Sequence, residues 1–288
     1  MIEINNREIS VNQIPYIIAE LSANHYGSID IAIKSIESAK KCGADAVKLQ
    51  TYKASSMTLD SNKNDFLIKE GLWKGYKLYD LYQEASTPYE WHEELFKYAN
   101  KLGITIFSSP FDREAVDFLD DLNVPAFKIA SFEVVDLDLI KYAASKGKPL
   151  LISTGMASEE EIDEALKTAK DYGNGEILLF HCISSYPAPL KDANLTLIKT
   201  FRDKYNIEVG LSDHTLTNSA AISAISLGAS AVEKHFILDK KIKSPDSSFS
   251  IKSKELKELK LVTNECWEAQ GKGSFERSKN EKKNKIFR

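Results

Sequence analysis

Eight short apolar runs, each separated from the next by an amphipathic helical stretch, constrain the fold of this chain more than any other feature. Most runs are apolar at nearly every position, which is typical of parallel strands covered on both faces. They span residues 16–19, 46–49, 104–107, 126–130, 150–152, 177–180, 208–211 and 231–235. Eight strands alternating with helices over roughly 250 residues predict an α/β fold, a (β/α)8 TIM barrel. An open doubly wound sheet is the alternative, although no Gly-x-Gly-x-x-Gly motif follows a strand.

Local patterns predict where helices begin and end, and they also predict an N-terminal hairpin. Residues 87–90 and 158–161 have the Ser/Thr-x-x-Glu spacing of capping boxes. Glycines follow helical patterns where a left-handed residue is favoured, at Gly43, Gly103, Gly147, Gly173 and Gly228. Residues 2–10 alternate apolar and polar side chains around Asn5 and Asn6, which predicts a short β-hairpin that plugs the bottom of the barrel.

The composition restricts the cellular setting and the classes of partner. A net charge of −4 gives no general affinity for nucleic acid. The three cysteines, Cys42, Cys182 and Cys266, lack the spacing of metal ligands and indicate a reducing compartment. No apolar run approaches the roughly 20 residues that span a bilayer, and the N-terminus lacks the apolar core of a signal peptide. The sequence therefore predicts a cytoplasmic protein with neither nucleic acid nor a membrane as partner.

An insertion of residues 52–86 follows the second predicted strand. It contains Trp73, Tyr76, Tyr79 and Tyr82, which favour an ordered segment, and its pattern predicts a short helix near residues 78–84. Segments that follow the carboxyl ends of barrel strands lie on the face that carries active sites. The insertion is therefore either a lid over that face or a packing excursion, and the sequence leaves both open.

Two histidines, His214 and His235, close consecutive strand-like runs. If the two strands are neighbours in a parallel sheet, both imidazoles lie at its carboxyl edge, where α/β folds build active sites. Imidazole is a common ligand of divalent transition metals, so the pair predicts a metal site. The alternative is that each histidine is a hydrogen-bonded structural residue.

Two lysines, Lys48 and Lys128, lie in otherwise apolar strands, where a charge is costly unless it is paired. With the hydroxyls at strand ends they predict a pocket for a phosphate or carboxylate. A buried ion pair with Glu20 or Glu133 is the alternative for each lysine. The side chains expected to converge on one mouth are Glu20, Lys48, Ser108, Ser109, Lys128, Ser131, Ser153, Thr154, His181, Ser212, Asp213 and His214.

A metal beside an anion pocket and carboxylates suits more than one reaction. Formation of a carbon–carbon bond between a phosphorylated enol and a carbonyl would use all of these parts. A metal-assisted phosphate hydrolase or an aldolase would use them equally well. The spacing of the residues does not choose among the three.

Seven segments, in order along nearly the whole chain, resemble the sialic acid synthase family. They are IAELSANHYGS (18–28), VKLQTY (47–52), FSSPFD (107–112), AFKIAS (126–131), ISTGM (152–156), GLSDHT (210–215) and EKHF (233–236). The resemblance implies an enzyme that condenses phosphoenolpyruvate with an acylated amino-sugar aldehyde, releasing phosphate and forming a nine-carbon nonulosonic acid.

Residues 71–96 and 245–250 resemble the pseudaminic acid synthase branch of that family. This implies 2,4-diacetamido-2,4,6-trideoxy-β-L-altropyranose as acceptor. A synthase of N-acetylneuraminate or legionaminate with a mannose-type acceptor is the alternative within the family. A non-catalytic barrel that binds a sugar or an anion is the alternative of another class.

The resemblance also implies roles for individual residues. His214 and His235 match the metal ligands, for which Mn²⁺ is expected and Mg²⁺ or Co²⁺ are alternatives. The phosphoenolpyruvate contacts match Lys48, Ser109, Lys128, Ser131, Ser153 and Ser212. Glu20 matches a carboxylate beside the acceptor, and Tyr186 and Asp246 match acceptor-side positions. Two positions depart from the family: its STPF reads SSPF at residues 108–111, so that Ser109 replaces the threonine and keeps a hydroxyl, and Ser184 stands where it often has asparagine.

The resemblance finally implies a domain organisation. Residues 1–271 correspond to the TIM-barrel synthase domain, and 272–288, with seven Lys or Arg and two Glu, to a basic linker. In the family the linker leads to a C-terminal domain similar to type III antifreeze protein. That domain is absent from this chain, and in a full-length homodimer it caps the barrel of the partner. A solvated charged terminus is the alternative for 272–288.

Overall fold

A computed structural model of the chain describes residues 2–241, 243–271 and 273–288. A hairpin of β1 (Ile2–Ile4) and β2 (Arg7–Ile9) precedes a closed barrel of eight parallel strands. These are β3 (Tyr16–Glu20), β4 (Ala46–Thr51), β5 (Thr105–Pro110), β6 (Phe127–Ile129), β7 (Leu150–Ser153), β8 (Ile177–Cys182), β9 (Glu208–Asp213) and β10 (Ala231–His235). The barrel closes where β10 pairs with β3, with His235 opposite Glu20. The predicted TIM barrel is confirmed, and the open sheet is wrong because no strand is left at an edge of the barrel.

Helices follow the strands, and those that precede the exposed C-terminal segment cover the outside of the barrel. They are α1 (Ile29–Lys41), α2 (Ala54–Met57), α3 (Leu78–Ala85), α4 (Tyr89–Leu102), α5 (Arg113–Asp121), α6 (Leu137–Ser145), α7 (Glu159–Tyr172), α8 (Leu197–Tyr205), α9 (Ser219–Ser226), α10 (Ser253–Gln270) and α11 (Lys279–Lys283). Short 3-10 turns lie at Ser22–His25, Asn64–Phe66, Glu133–Val135, Leu190–Asp192 and Asn284–Phe287. Among the described residues, no helix is long and apolar enough to span a membrane.

The end of the chain is exposed to solvent. Helix α10 ends at Gln270, and residues 273–288 are exposed throughout. The predicted boundary between 1–271 and 272–288 falls at Lys272, which lies outside the described residues. The division into a barrel domain and a basic linker therefore stays a prediction.

Two of the local predictions about helix ends are wrong, and each has a geometric reason. Ser158 and Glu161 form the expected capping box. At the other site, α4 begins after Pro88, so Thr87 stands one residue too early to cap it. Gly173 has a φ of −114° and is not left-handed. A Cβ there would lie 2.8 Å from the carbonyl oxygen of Ala169, so the glycine serves close packing.

The hairpin closes the bottom of the barrel, as predicted. Asn5 and Asn6 have φ values of 54° and 62°, which suit a two-residue turn between antiparallel strands. Ile2, Ile4 and Ile9 are buried against the inward side chains at the amino ends of the strands. These are Tyr16, Ile18, Ala46, Phe107, Ala126, Leu151, Leu178, Phe180 and Ala231. The side chains packed between the hairpin and the amino ends of the strands are thus apolar, and the polar side chains inside the barrel lie toward the opposite end, called the mouth below.

Strand alternation decides which polar side chains reach the mouth, because successive residues point to opposite faces. His181 lies on the outer face, where its Nε2 donates to the carbonyl of Ala193 (2.7 Å). Ser108 also lies on the outer face and forms a hydrogen bond with Thr51 (2.7 Å). Asp213 lies on the outer face as well. The expectation that Ser108, His181 and Asp213 converge on the mouth is therefore wrong. Each of the three is next in sequence to a residue that faces inward, so its own side chain points to the opposite face of the strand.

A buried ion pair on the outer face holds the loop that follows β9. Nζ of Lys234 lies 2.6 Å from Oδ2 of Asp213 and donates to the carbonyls of Thr215 (2.7 Å) and Thr217 (3.0 Å). Asp213 also accepts from the backbone N–H of Thr215 (2.8 Å). Both charged side chains are almost fully buried. The pair thus fixes the backbone on both sides of His214.

We expect Lys234→Met to lower the free energy of unfolding by about 3–5 kcal/mol, because it leaves the Asp213 carboxylate buried without its cation. Urea unfolding followed by circular dichroism measures the change. The control is Lys97→Met, which removes an exposed i,i+4 pair with Glu93 and should leave the midpoint almost unchanged. Equal midpoints for the two variants would contradict the role given to Lys234.

Candidate active site

Two imidazoles face each other at the mouth. His214 directly follows β9 and His235 ends β10, and their ring centroids are 5.3 Å apart. Nδ1 of His214 donates to the carbonyl of Ile183 (3.0 Å), which leaves its Nε2 available. Nδ1 of His235 is buried and has no hydrogen-bond partner among the described residues. Burial and the neighbouring His214 lower the pKa of His235 well below its ordinary value.

This pair fits a divalent metal on the chemistry of its donors. Metal-binding histidines commonly donate their second ring N–H to a carbonyl, as His214 does, and this fixes the tautomer and the ring. His235 brings a buried ring nitrogen that is unpaired within the described part of the chain. Across residues 2–241, 243–271 and 273–288, no group of three or more His, Cys, Asp or Glu could hold a metal. The protein would thus supply two imidazoles, and water or a substrate the remaining ligands.

Four buried charges cross the mouth in an alternating chain. Nζ of Lys48 lies 2.7 Å from Oε2 of Glu20 and 3.4 Å from Oε1 of Glu233. Nζ of Lys128 lies 2.8 Å from Oε2 of Glu233. Burial opposes the ionisation of Glu233, but Lys128 and Lys48 outweigh it and lower the pKa of Glu233 to about 2. Both lysines therefore have a partner before any ligand enters.

The partners differ in part from those expected. Lys48 pairs with Glu20, as the ion-pair alternative stated, but Lys128 pairs with Glu233 and not with Glu133. Glu233 was missed as a site residue. It lies two positions before His235 on β10, and this spacing puts both side chains on one face of a strand. That period-2 relation is the signal that could have identified it.

Serine hydroxyls surround the lysines. Oγ of Ser109 lies 3.3 Å from Nζ of Lys48, and Oγ of Ser212 lies 3.4 Å from Oε1 of Glu233. Ser131 accepts a hydrogen bond from Ser184 (2.9 Å). Ser153 ends β7 and is buried, without a hydrogen bond to the other residues of this group among the described contacts. The structure thus brings Ser109 and Ser212 into contact with the buried charges, whereas the hydrogen bond of Ser131 goes to Ser184 and Ser153 is buried at the end of its strand.

Aromatic rings cover the imidazoles on one side. The ring of Tyr186 lies 4.5 Å from that of His214 and 5.2 Å from that of Phe249. Phe249 in turn lies 4.8 Å from His235. Sequence reasoning identified Tyr186 but missed Phe249, whose position depends on the fold of the loop after β10.

A polar network lies next to His235. Asp246 accepts from the hydroxyl of Ser22, and its Oδ2 lies 3.7 Å from Nδ1 of His235. Gln50 donates to Glu20 (3.2 Å) and to Ser22 (3.1 Å). Gln50 was missed, although alternation on β4 places it on the same face as Lys48. Through Ser22 and Gln50, these contacts link Asp246 to the alternating chain of buried charges.

One more carboxyl, that of Glu133, lies just beyond β6. Its Oε2 is buried and has no partner within the described ranges, and burial raises its pKa to about 7. The charge of Glu133 contributes to the raised pKa of Tyr82, a residue of the insertion. A carboxyl with a pKa near 7 is suited to general acid–base catalysis at neutral pH. The raised pKa of Glu133 could not be predicted from the sequence, because it depends on burial.

Comparison with known proteins identifies the family. The model of the NeuB family matches residues 35–275. The chain is 46% identical over 272 residues to the pseudaminic acid synthase of Campylobacter jejuni, covering 94% of this chain and 79% of that protein. It is 48% identical over 239 residues to the pseudaminic acid synthase of Helicobacter pylori, covering 83% and 70%.

The fold agrees with these matches. The N-acetylneuraminic acid (sialic acid) synthetase of Leptospira borgpetersenii, solved in complex with citrate, superposes with a TM-score of 0.90 at 30% identity. The match covers all of this chain and 95% of that one. The chain therefore belongs to the NeuB family, the family of the sialic acid synthases.

Proposed function

We propose that the chain is a pseudaminic acid synthase that condenses phosphoenolpyruvate with 2,4-diacetamido-2,4,6-trideoxy-β-L-altropyranose in its open aldehyde form. One observation carries the proposal: an imidazole pair with ring centroids 5.3 Å apart shares the mouth with two buried lysines. An electrophilic carbonyl and a phosphate ester could therefore be held side by side. The two relatives at 46% and 48% identity carry that enzyme's name.

In this proposal the lysines hold phosphoenolpyruvate. Lys48 and Lys128 contact its phosphate and carboxylate, with hydrogen bonds from the serines named above at positions 109, 131, 153 and 212. Lysine suits this task because its ammonium group binds an anion without a fixed two-point geometry. Glu20 and Glu233 balance the lysines before the ligand enters, so binding exchanges one set of anionic partners for another.

His214 and His235 hold the metal in this proposal, with Mn²⁺ expected and Mg²⁺ or Co²⁺ as alternatives. When bound, a divalent metal supplies Lewis acidity toward the aldehyde oxygen of the acceptor. Tyr186 and Asp246 line the acceptor side. Carbon 3 of phosphoenolpyruvate forms a bond to the aldehyde carbon, water adds at carbon 2, and the carbon–oxygen bond to phosphate breaks. Glu20 lies beside the acceptor in this proposal, where it orients the acceptor hydroxyls or exchanges protons with them.

We further propose that the protein works in the cytoplasm and that the full-length form is a homodimer. All three cysteines are free thiols, which supports a reducing compartment. The dimer rests on the family resemblance alone.

The assay that tests the proposed function is phosphate release from phosphoenolpyruvate with Mn²⁺ and candidate sugars. We expect release that depends on the altrose-derived acceptor, with a nine-carbon product in the mass spectrum. Release with a mannose-type acceptor alone would indicate an N-acetylneuraminate or legionaminate synthase. Release without any sugar would indicate a hydrolase, and binding of the ligands without release would indicate a non-catalytic barrel.

We expect His235→Ala to abolish metal-dependent turnover and to weaken Mn²⁺ binding, because one of two protein ligands is lost. Mn²⁺ binding is measured by electron paramagnetic resonance and turnover by phosphate release. The control is Leu216→Ala, which removes an exposed side chain from the loop after His214. Mn²⁺ affinity and turnover of His235→Ala like those of the control would contradict the assignment.

Lys128→Met tests whether this lysine binds substrate or only balances Glu233. We expect the KM for phosphoenolpyruvate to rise on the order of 100-fold, which corresponds to the loss of one buried charged contact. A Lys128→Met variant that also carries Glu233→Gln lacks the carboxylate that has lost its nearer cation. Recovery of the KM in that double variant would show a purely structural ion pair. We expect the KM to stay high.

A further inference from the structure

We propose that Trp73, in the insertion after β4, is an acceptor-specificity residue that favours sugars with a deoxy carbon at the end remote from the aldehyde. The inference rests on the proposed function, because it names what the acceptor side of that same site selects. Sequence patterns left the insertion as either a lid or a packing excursion. The contacts of Trp73 supply the missing distinction.

Residues 67–77 form a small hairpin, called the insertion hairpin below. Leu67 and Lys77 make an antiparallel bridge. The backbone N–H of Ile68 donates to the carbonyl of Tyr76 (2.9 Å), and the N–H of Gly75 donates back to the carbonyl of Ile68 (2.9 Å). These bonds close a short tip that contains Trp73. The indole is therefore carried on an ordered support.

Trp73 is the residue of this tip that reaches the barrel. Its Nε1–H donates to the carbonyl of Pro245 (3.0 Å), in the loop that carries Asp246. Its neighbours Leu72 and Tyr76 are 46% and 40% exposed, whereas Trp73 is partly buried. The hydrogen bond fixes the indole against the loop after β10. The insertion hairpin thus contacts the loop that carries Asp246 through the indole of Trp73.

The indole extends the aromatic wall beside the imidazoles. Its ring lies 5.7 Å from that of Tyr186, which lies 4.5 Å from His214 and 5.2 Å from Phe249. The wall therefore begins at the imidazole pair and runs outward through Tyr186 to Trp73. A sugar whose aldehyde lies at the imidazoles would have its far end against Trp73.

The chemistry of this wall favours an apolar substituent on the far end of the sugar. The one polar hydrogen of Trp73 is already donated to Pro245, and an indole ring has no acceptor to offer. A hydroxyl packed against the ring would lose its water without a replacement hydrogen bond. A methyl group at the same place gains packing. The residues 71–96 and 245–250, which resemble one branch of the family, meet at this hydrogen bond.

The experiment compares two acceptors that differ only by a hydroxyl at the terminal carbon. We expect Trp73→Ala to lower kcat/KM for the deoxy acceptor on the order of 10-fold. The ratio of kcat/KM for the deoxy acceptor to that for the hydroxylated acceptor should fall by a similar factor. The KM for phosphoenolpyruvate should stay within about 2-fold of its original value. Trp73→Phe, which keeps a ring, should retain most of the preference. The control is Leu72→Ala, an exposed neighbour in the same hairpin, which should match the unmodified protein.

An unchanged preference in Trp73→Ala, with turnover intact, would overturn the inference and leave the proposed function standing. Absence of phosphate release from every sugar by the unmodified protein would reject the proposed function. In that case the same two sugars are titrated by calorimetry. Loss of the deoxy preference in Trp73→Ala would still support the inference, whereas equal preference, or no binding of either sugar, would overturn it.

Discussion

The alternating chain of four buried charges across the mouth is the interaction on which the rest of the structure depends. Glu20, Lys48, Glu233 and Lys128 come from strands β3, β4, β10 and β6, and β6 and β10 are not neighbours in the barrel. Each charge is stable in an apolar interior only because the next one neutralises it. The chain therefore ties distant strands together. In the proposed function, the two lysines of this chain also bind the phosphate and carboxylate of phosphoenolpyruvate.

The rest of the barrel supports this arrangement from two directions. The isoleucines of the N-terminal hairpin fill the bottom, so the interior is apolar below the charges and polar above them. On the outer face, the buried pair of Lys234 and Asp213 fixes the loop next to His214. Rigid support of this kind matters because catalytic groups act efficiently only when they are held in position before the reaction. The aromatic wall, including Trp73, then adds a surface on which the far end of a sugar can be distinguished.

The sequence predicted the strands and the histidine pair well, because both follow from local patterns. Near-continuous apolar runs indicated buried parallel strands, and histidines at consecutive strand ends had to share one edge. The errors came from neglecting that side chains alternate between the two faces of a strand. Ser108, His181 and Asp213 were assigned to the mouth, although each lies one position away from the residues that face inward. Glu233 was missed for the same reason, since its two-residue spacing from His235 was not applied.

Other features could not be read from the sequence at all. The pairing of Lys128 with Glu233 depends on which strands face each other across the barrel. The bond between Trp73 and Pro245 joins residues 172 positions apart, and the pKa of Glu133 depends on burial. Such contacts arise only once the chain is folded.

A crystal structure with Mn²⁺ and phosphoenolpyruvate, with anomalous data collected at the manganese edge, would locate the metal and the substrate together. We expect one anomalous peak within coordination distance of both His214 and His235, and the phosphate and carboxylate of phosphoenolpyruvate within hydrogen-bond distance of Lys48 and Lys128. A manganese peak away from the two imidazoles, or phosphoenolpyruvate bound outside the mouth with both lysines still paired to Glu20 and Glu233, would contradict this expectation.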